Sequence, residues 1–433
     1  MSKRVQWSLA ITVVLAAMSL VNCGKYNCNT DDGLSFSGGC NSGSPSGVSS
    51  GGGTGSTSAF VFAVDAGATG STNGTIDGFT LDSSADSFGA SSGYTAPTVP
   101  ANDGGVGMVI AQKQYLYVGF ESSEQIYGWT IDSTSGSLTP IAGSPYTATF
   151  LSAFGGAAAE AEMITNPAGT LLFVSVPLEN EIYAYQIGSG GALTPVTGTP
   201  FTAPIEPINL ATDGQGKYLY ASNGNFGTHT ASEVAAFSIG TTGALTPVAG
   251  SPFAFPMWQL QGEPTGTYMI GTSGNSAAPG FSGVDDDNLY VFKISSTGAI
   301  SPVSGSPFAT VYSPFSIAVS PNSGGNLVYS FSFNDTATAF NAPEGYQISS
   351  TGALTAVSGS PFAGLPTGSA GSWGQFDQSG TLLLNYASFI DEDTSEPVTQ
   401  LSPFSVASGG GLTQPIPTLV LTTQGFWAVT DPN

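Results

Sequence analysis

Carboxylates dominate the chemistry available to this chain of 433 residues. It carries 29 Asp and Glu against six Lys and Arg, one His and a formal charge of −23. The densest acidic runs are Asp285-Asp286-Asp287 in SGVDDDN, Asn334-Asp335, and Asp391-Glu392-Asp393 in DEDTSE. Hard oxygen donors at this density suit calcium, with Asp285, Asp286, Asp287, Asp335, Asp391 and Asp393 as candidate ligands. None of the runs has the Gly and terminal Glu spacing of an EF-hand, so solvated acidic loops are the weightier reading. No other cofactor is expected. Glu160 and Glu162, in AFGGAAAEAEM, lie two apart. On a strand they would point the same way and could serve acid/base hydrolysis of a glycoside. The plainer reading is a pair of rim charges. His229 stands without a second histidine, and no G-x-S-x-G elbow is present. No catalytic set follows from these residues. Trp129, Trp258, Trp373 and Trp427 fall at strand positions, where they pack between sheets or offer a stacking platform for sugar.

The elements that carry these residues repeat. GALTPVAGSPF at Gly243 has close copies at Gly136, Gly191, Gly298 and Gly352, and a decayed one at Gly410. A short strand with a central aromatic precedes each, as in IYGWTI at Ile126 and IYAYQI at Ile182, and IDGFTL at Ile76 begins the series. Seven such strands recur at a mean spacing of 54 residues. Before each come an aromatic, β-branched strand such as YLYVGF at Tyr115 and a shorter strand ending in a turn, such as INLATDGQG at Ile208. Four short strands per unit at a fixed period predict a blade of a β-propeller. The fold expected is therefore all-β, a seven-bladed β-propeller of four-stranded blades over residues 59–433, with no room for a second domain. The chain ends in GFWAVTDPN, which reads as a first strand, and Ala59-Phe60-Val61-Phe62 reads as a second strand without a first. The C-terminal strand should close the ring by joining the N-terminal blade.

Ahead of the propeller, Lys3 and Arg4 precede the apolar run WSLAITVVLAAMSL, too short to span a bilayer comfortably and fit for a secretory signal. Leu20-Val21-Asn22-Cys23 resembles the lipobox of bacterial lipoproteins, although Asn22 replaces their usual small residue. Residues 1–22 are thus expected to be a signal peptide and Cys23 the lipidated first residue. Ordinary secretion is the alternative. A chain starting at Cys23 keeps four lysines, no arginine and a formal charge of −25. Cys28 and Cys40 are candidates for a disulfide in an oxidising compartment. They lie in a Gly/Ser-rich stretch, residues 23–58, that reads as a tether.

The G-x-L-T-P hairpins, the turn Asp213-Gly214-Gln215-Gly216-Lys217-Tyr218-Leu219-Tyr220 and the closing GFWAV resemble the seven-bladed propeller lactonase family, typified by 6-phosphogluconolactonase. The resemblance runs from about residue 59 to the end. It implies a lactonase whose His, Arg and Glu sit where one blade leads into the next and at the ends of second strands. Here those places hold Pro207, Asn209, Trp258, Gln259, Phe315, Ser316, Trp373 and Trp427, and one second strand ends Ala221-Ser222-Asn223. None is His or Arg. A phosphosugar would need clustered cations, and nucleic acid is disfavoured for the same reason. The expected function is a non-catalytic binding or scaffold module at the cell envelope. It would be monomeric, held to a membrane by its lipid, and would take a protein or carbohydrate ligand. The alternative is a divergent lactonase-like hydrolase using carboxylates or calcium. A structural surface-layer role is a third.

Overall fold

The computed structural model of the chain describes residues 59–65, 73–82, 87–91, 93–100, 105–120, 123–148, 162–223, 233–273, 286–322, 326–332, 342–362, 372–390, 397–413, 419–421 and 427–430. The signal and tether expectations lie outside them, as do Cys23, Cys28, Cys40, Asp285, Asp335, Asp391, Asp393, Glu160 and His229.

Seven antiparallel sheets follow one another along the chain. Blade 4 shows the plan: Asn209–Thr212, Tyr218–Ser222, Val234–Ile239 and Leu245–Pro247 pair in sequence order. The first strands of the other blades are Gly105–Ala111, Met163–Thr165, Gln259–Gly262, Pro314–Val319 and Ser372–Phe376. Blade 1 takes its first strand from the other end of the chain. Trp427–Thr430 pairs antiparallel with Ala59–Asp65, placing Val61 opposite Val429 and Ala63 opposite Trp427. First strands touch around a complete circuit, each against its neighbours. The expected seven-bladed ring, closed by the C-terminal strand, is therefore what the chain forms, with seven first strands around a central channel. Among the described residues no helix is long and apolar enough to cross a membrane.

Packing between blades explains the repeat. Second strands are buried on both faces, as in Tyr115–Phe120 and Leu171–Val176, so their residues read as continuous apolar runs. Tyrosines on them bolt one blade to the next. Tyr117, Tyr220 and Tyr329 are fully buried, and their hydroxyls donate to the carbonyls of Gly191, Gly298 and Gly410 at 2.6, 2.9 and 2.6 Å. Those glycines open the G-x-L-T-P hairpins. Gly298 has φ +87°, and a Cβ there would lie 2.4 Å from the ring of Tyr218, so no other residue fits.

The fourth strand is shorter than its motif. Leu193–Pro195 pairs with the end of the third strand Glu181–Ile187, and Phe201–Thr202 returns to pair with its beginning. Among the described residues five blades carry such a fifth segment, which the sequence pattern does not announce. Between the two pieces the G-S/T-P tripeptide swings outward and would leave a third-strand N–H bare. The hydroxyl of that tripeptide accepts it: Thr199 from Ala184 at 2.9 Å, Ser251 from Ala236 at 2.8 Å and Ser306 from Val291 at 3.0 Å. Each serine or threonine precedes a cis proline. Replacing Ser251 by Ala removes the acceptor from a buried N–H and should cost about 1–2 kcal/mol. Chemical denaturation of Ser251→Ala against the parent checks this.

Candidate functional site

Buried carboxylates are the first place to look for chemistry, and most are consumed by turns. Asp213 Oδ1 accepts the N–H groups of Lys217 and Tyr218 at 2.6 and 2.7 Å. Glu263 does the same for Thr267 and Tyr268, Asp377 for Thr381 and Leu382, and the amide oxygen of Asn166 for Thr170 and Leu171. All four close the hairpin between first and second strands. Their acceptor oxygens are engaged by the backbone of those turns. Glu344, also buried, accepts from the N–H groups of Val311 and Tyr312 at 2.9 Å each and pins the link between blades 5 and 6. Asp286, a predicted calcium ligand, accepts from Ser273 at 2.9 Å, Tyr290 at 2.6 Å and the amide of Asn288. Asp287 beside it is exposed. Among the described residues no three His, Cys, Asp or Glu side chains group as a metal site.

The face away from the first-to-second-strand hairpins, to which Glu344 and Asp286 belong, is different. Strand alternation places the links between blades and the links from second to third strands there, at the mouth of the channel. Cross-strand register defines one ring of positions at this mouth, each opposite the fifth residue of its second strand. Six members are described: Gly107, Glu162, Asn209, Gln259, Ser316 and Trp373. Counted from Phe60, which matches Tyr115 in the repeat, Ala63 is the fourth residue of its strand, so its partner Trp427 lies one step deeper. Trp258 and Phe315 stand one residue above Gln259 and Ser316.

Three of these aromatics form an arc. The rings of Trp258 and Phe315 stack with centroids 5.9 Å apart and planes at 29°. Phe315 meets Trp373 edge-on at 5.3 Å and 77°. Phe315 is buried, whereas Trp258 and Trp373 keep part of their surface in solvent. Trp129, in contrast, is core. Second-strand side chains hold the backbone of this arc. Ser222 donates to the Trp258 carbonyl at 2.7 Å, Thr272 to that of Phe315 at 3.2 Å and Asn385 to that of Trp373 at 2.9 Å. Between blades 6 and 7 a different contact replaces the hydroxyl bridge. Phe331 occupies the equivalent second-strand place and packs on Gly374, where a Cβ would lie 2.1 Å from its ring.

The polar members of the ring clasp neighbouring blades. Gln259 accepts the N–H of Ile317 at 2.8 Å. Gln261 accepts that of Val319 at 2.9 Å and donates to the Ile317 carbonyl at 3.0 Å. Glu162 accepts the N–H of Leu210 in the same relation, with a carboxylate in place of the amide. Burial pushes its carboxyl up to about 7, against the lowering effect of the Leu210 N–H. Its N–H donates to Ser175 Oγ at 2.8 Å. The residue keeps some surface at the mouth, so the group is desolvated without being sealed in.

Cations are absent from the described part of this face. Lys113 and Lys217 lie in turns between first and second strands, and Lys293 is next to last in its third strand, all toward the other end. That end also carries a cleft of about 200 Å³ between blades 5, 6 and 7, lined by Gln261, Val319, Gln375 and Phe376 among others. The ring positions and the aromatic arc were within reach of the sequence once the blades were aligned. The clasp of Glu162 on Leu210 was not, because it depends on the relative height of two blades.

Comparison with known proteins agrees with this architecture. The family described as "Lactonase, 7-bladed beta-propeller" matches residues 54–257, just under half of the chain. No curated protein matches. A putative 6-phosphogluconolactonase from Bacteroides uniformis superposes with a TM-score of 0.58 at 14% identity, covering 86% of this chain and 99% of that one. A second, from Bacteroides fragilis, gives 0.55 at 15% identity, with 86% and 98% covered. A protein from Lactobacillus plantarum gives 0.52 at 14%, with 86% and 99% covered. At these identities the likeness is one of fold.

Proposed function

We propose that the chain is a divergent member of the seven-bladed lactonase-like propellers that acts as a non-catalytic binding module, taking an uncharged ligand at the channel mouth. One observation carries this reading: the described mouth ring offers aromatic faces, amides and one carboxylate, while every described lysine lies toward the opposite end. A dianionic phosphate held there would meet no cation among the described residues, in a protein of formal charge −23. The partly exposed indoles of Trp258 and Trp373 supply apolar area and quadrupole faces that need no charge on the ligand. Export, a lipid anchor at Cys23, a Cys28–Cys40 disulfide and an envelope location complete the proposal from the leader sequence. The reading calls for no cofactor, and calcium at the acidic links stays a separate proposal.

Titration calorimetry with D-glucose and D-glucose 6-phosphate tests it. Binding of the neutral sugar alone is expected, with hydrolysis of 6-phosphogluconolactone no faster than in buffer. Preference for the phosphorylated sugar, or turnover of that lactone, would end the proposal.

A second reading has its own support. A carboxyl poised near 7 at the mouth suits proton transfer at neutral pH, which is the chemistry of a hydrolase acting on a neutral ester ring. Turnover of D-glucono-1,5-lactone abolished by Glu162→Gln would favour it over binding alone.

A further inference from the structure

Gln375 stands where Gln261 stands two blades earlier, each opposite the third residue of its second strand, Leu384 and Ile270. Gln261 spends both ends of its amide on blade 6, accepting the N–H of Val319 and donating to the carbonyl of Ile317. Gln375 is partly buried and makes no such clasp with a described residue. It lines instead the cleft at the end of the channel away from the mouth. At the same height blade 6 has only Ala318, opposite Tyr329, and blade 7 has Gly374 beside Gln375. These two small residues leave room there, about 200 Å³. Val319, Pro321 and Phe376 supply apolar walls, and Gln378 adds a second amide. The one ionisable group in the lining is Asp377, whose carboxylate is held by the N–H groups of Thr381 and Leu382 and by the hydroxyl of Ser379. An anion would meet no cation in this lining, and the one carboxylate is already engaged.

We propose that this cleft is a second binding site, for a small neutral heterocycle whose edge sets a hydrogen-bond donor beside an acceptor, as in the nucleobases. A primary amide reads that edge with two parallel hydrogen bonds, its oxygen accepting from the N–H and its nitrogen donating to the neighbouring acceptor. Gln375 supplies the amide, and the ring packs against Val319, Pro321 and Phe376. The site lies apart from the mouth and does not depend on what binds there.

The test is calorimetric titration of the full chain with two pairs of probes, uracil with 1,3-dimethyluracil and adenine with purine. The second member of each pair keeps the ring and lacks donors of the edge. The parent should bind at least one of the two bases, and the matching second member at least about tenfold more weakly. Gln375→Leu should weaken that base by at least about tenfold and melt within about 2 °C of the parent, because no hydrogen bond of the fold is lost. Parent protein that binds neither base overturns the site and leaves the mouth reading standing. Equal binding of the two members of a pair, or binding by Gln375→Leu within twofold of the parent, overturns it as well. A melting point lowered by more than about 5 °C in Gln375→Leu would make the amide a structural clasp and also overturn the site.

Discussion

Removal of residues 425–433 is expected to abolish the soluble monomer. The closing strand Trp427–Thr430 is the only first strand of blade 1, and it pairs with residues 60–63. Without it, Ala59–Asp65 becomes an open edge beside the channel. Phe60, Val61 and Phe62, now buried, lose their cover on that side. The same deletion parts blade 7 from blade 2, since the closing strand touches the first strands of both. An unpaired apolar strand is a template for association with another chain. Size-exclusion chromatography should show aggregates, and any remaining monomer should melt lower by roughly 10 °C or more. A truncated protein that elutes as monomer with an unchanged midpoint would show that blade 1 is complete without its last strand.

Glu162→Gln should stabilise the protein at pH 8 and leave it little changed at pH 5. The ordinary carboxyl titrates near 4.5, and burial raises this one to about 7 in the folded chain. Between those values the folded state holds a proton that the unfolded state has released. Stability from this group is therefore present at low pH, falls as pH rises through about 4.5 to 7, and is gone above. The residue keeps some solvent contact, so the loss is on the order of 2 kcal/mol rather than the full value of the shift. Glutamine is neutral throughout, and Gln259 already shows an amide oxygen accepting the equivalent N–H at 2.8 Å. Urea unfolding of both proteins at pH 5 and pH 8 reads the difference directly. If Glu162→Gln is less stable than the parent at pH 8, the carboxylate is charged and needed in the folded state.

Much of the fold is legible in the sequence because each blade repeats the same local solution. The G-x-L-T-P glycines must allow a neighbouring ring to approach within contact distance, and second strands must be apolar on both faces. Those demands leave the repeat and its period in plain view. The closing strand is legible too, because a first strand without a second can pair only with a second strand without a first. The broken fourth strand is not, since its returning segment is two residues long and its hydroxyl clasp looks like an ordinary turn. The candidate site is harder still. Glu162 and Gln259 are unremarkable in sequence, and their clasps on the following blade come from standing at matched height in the ring. The acidic runs drew attention by density, yet the carboxylate with the clearest perturbation is Glu162, bound to a neighbouring blade. Asp286, in the densest run, is taken up by three donors of its own hairpin.

Locating the ligand tests the central claim most directly. A crystal structure of the protein grown with maltose should show the sugar at the channel mouth, with a ring against Trp258 or Trp373. Sugar found only in the opposite cleft beside Gln375 and Phe376, with the mouth empty, would contradict it.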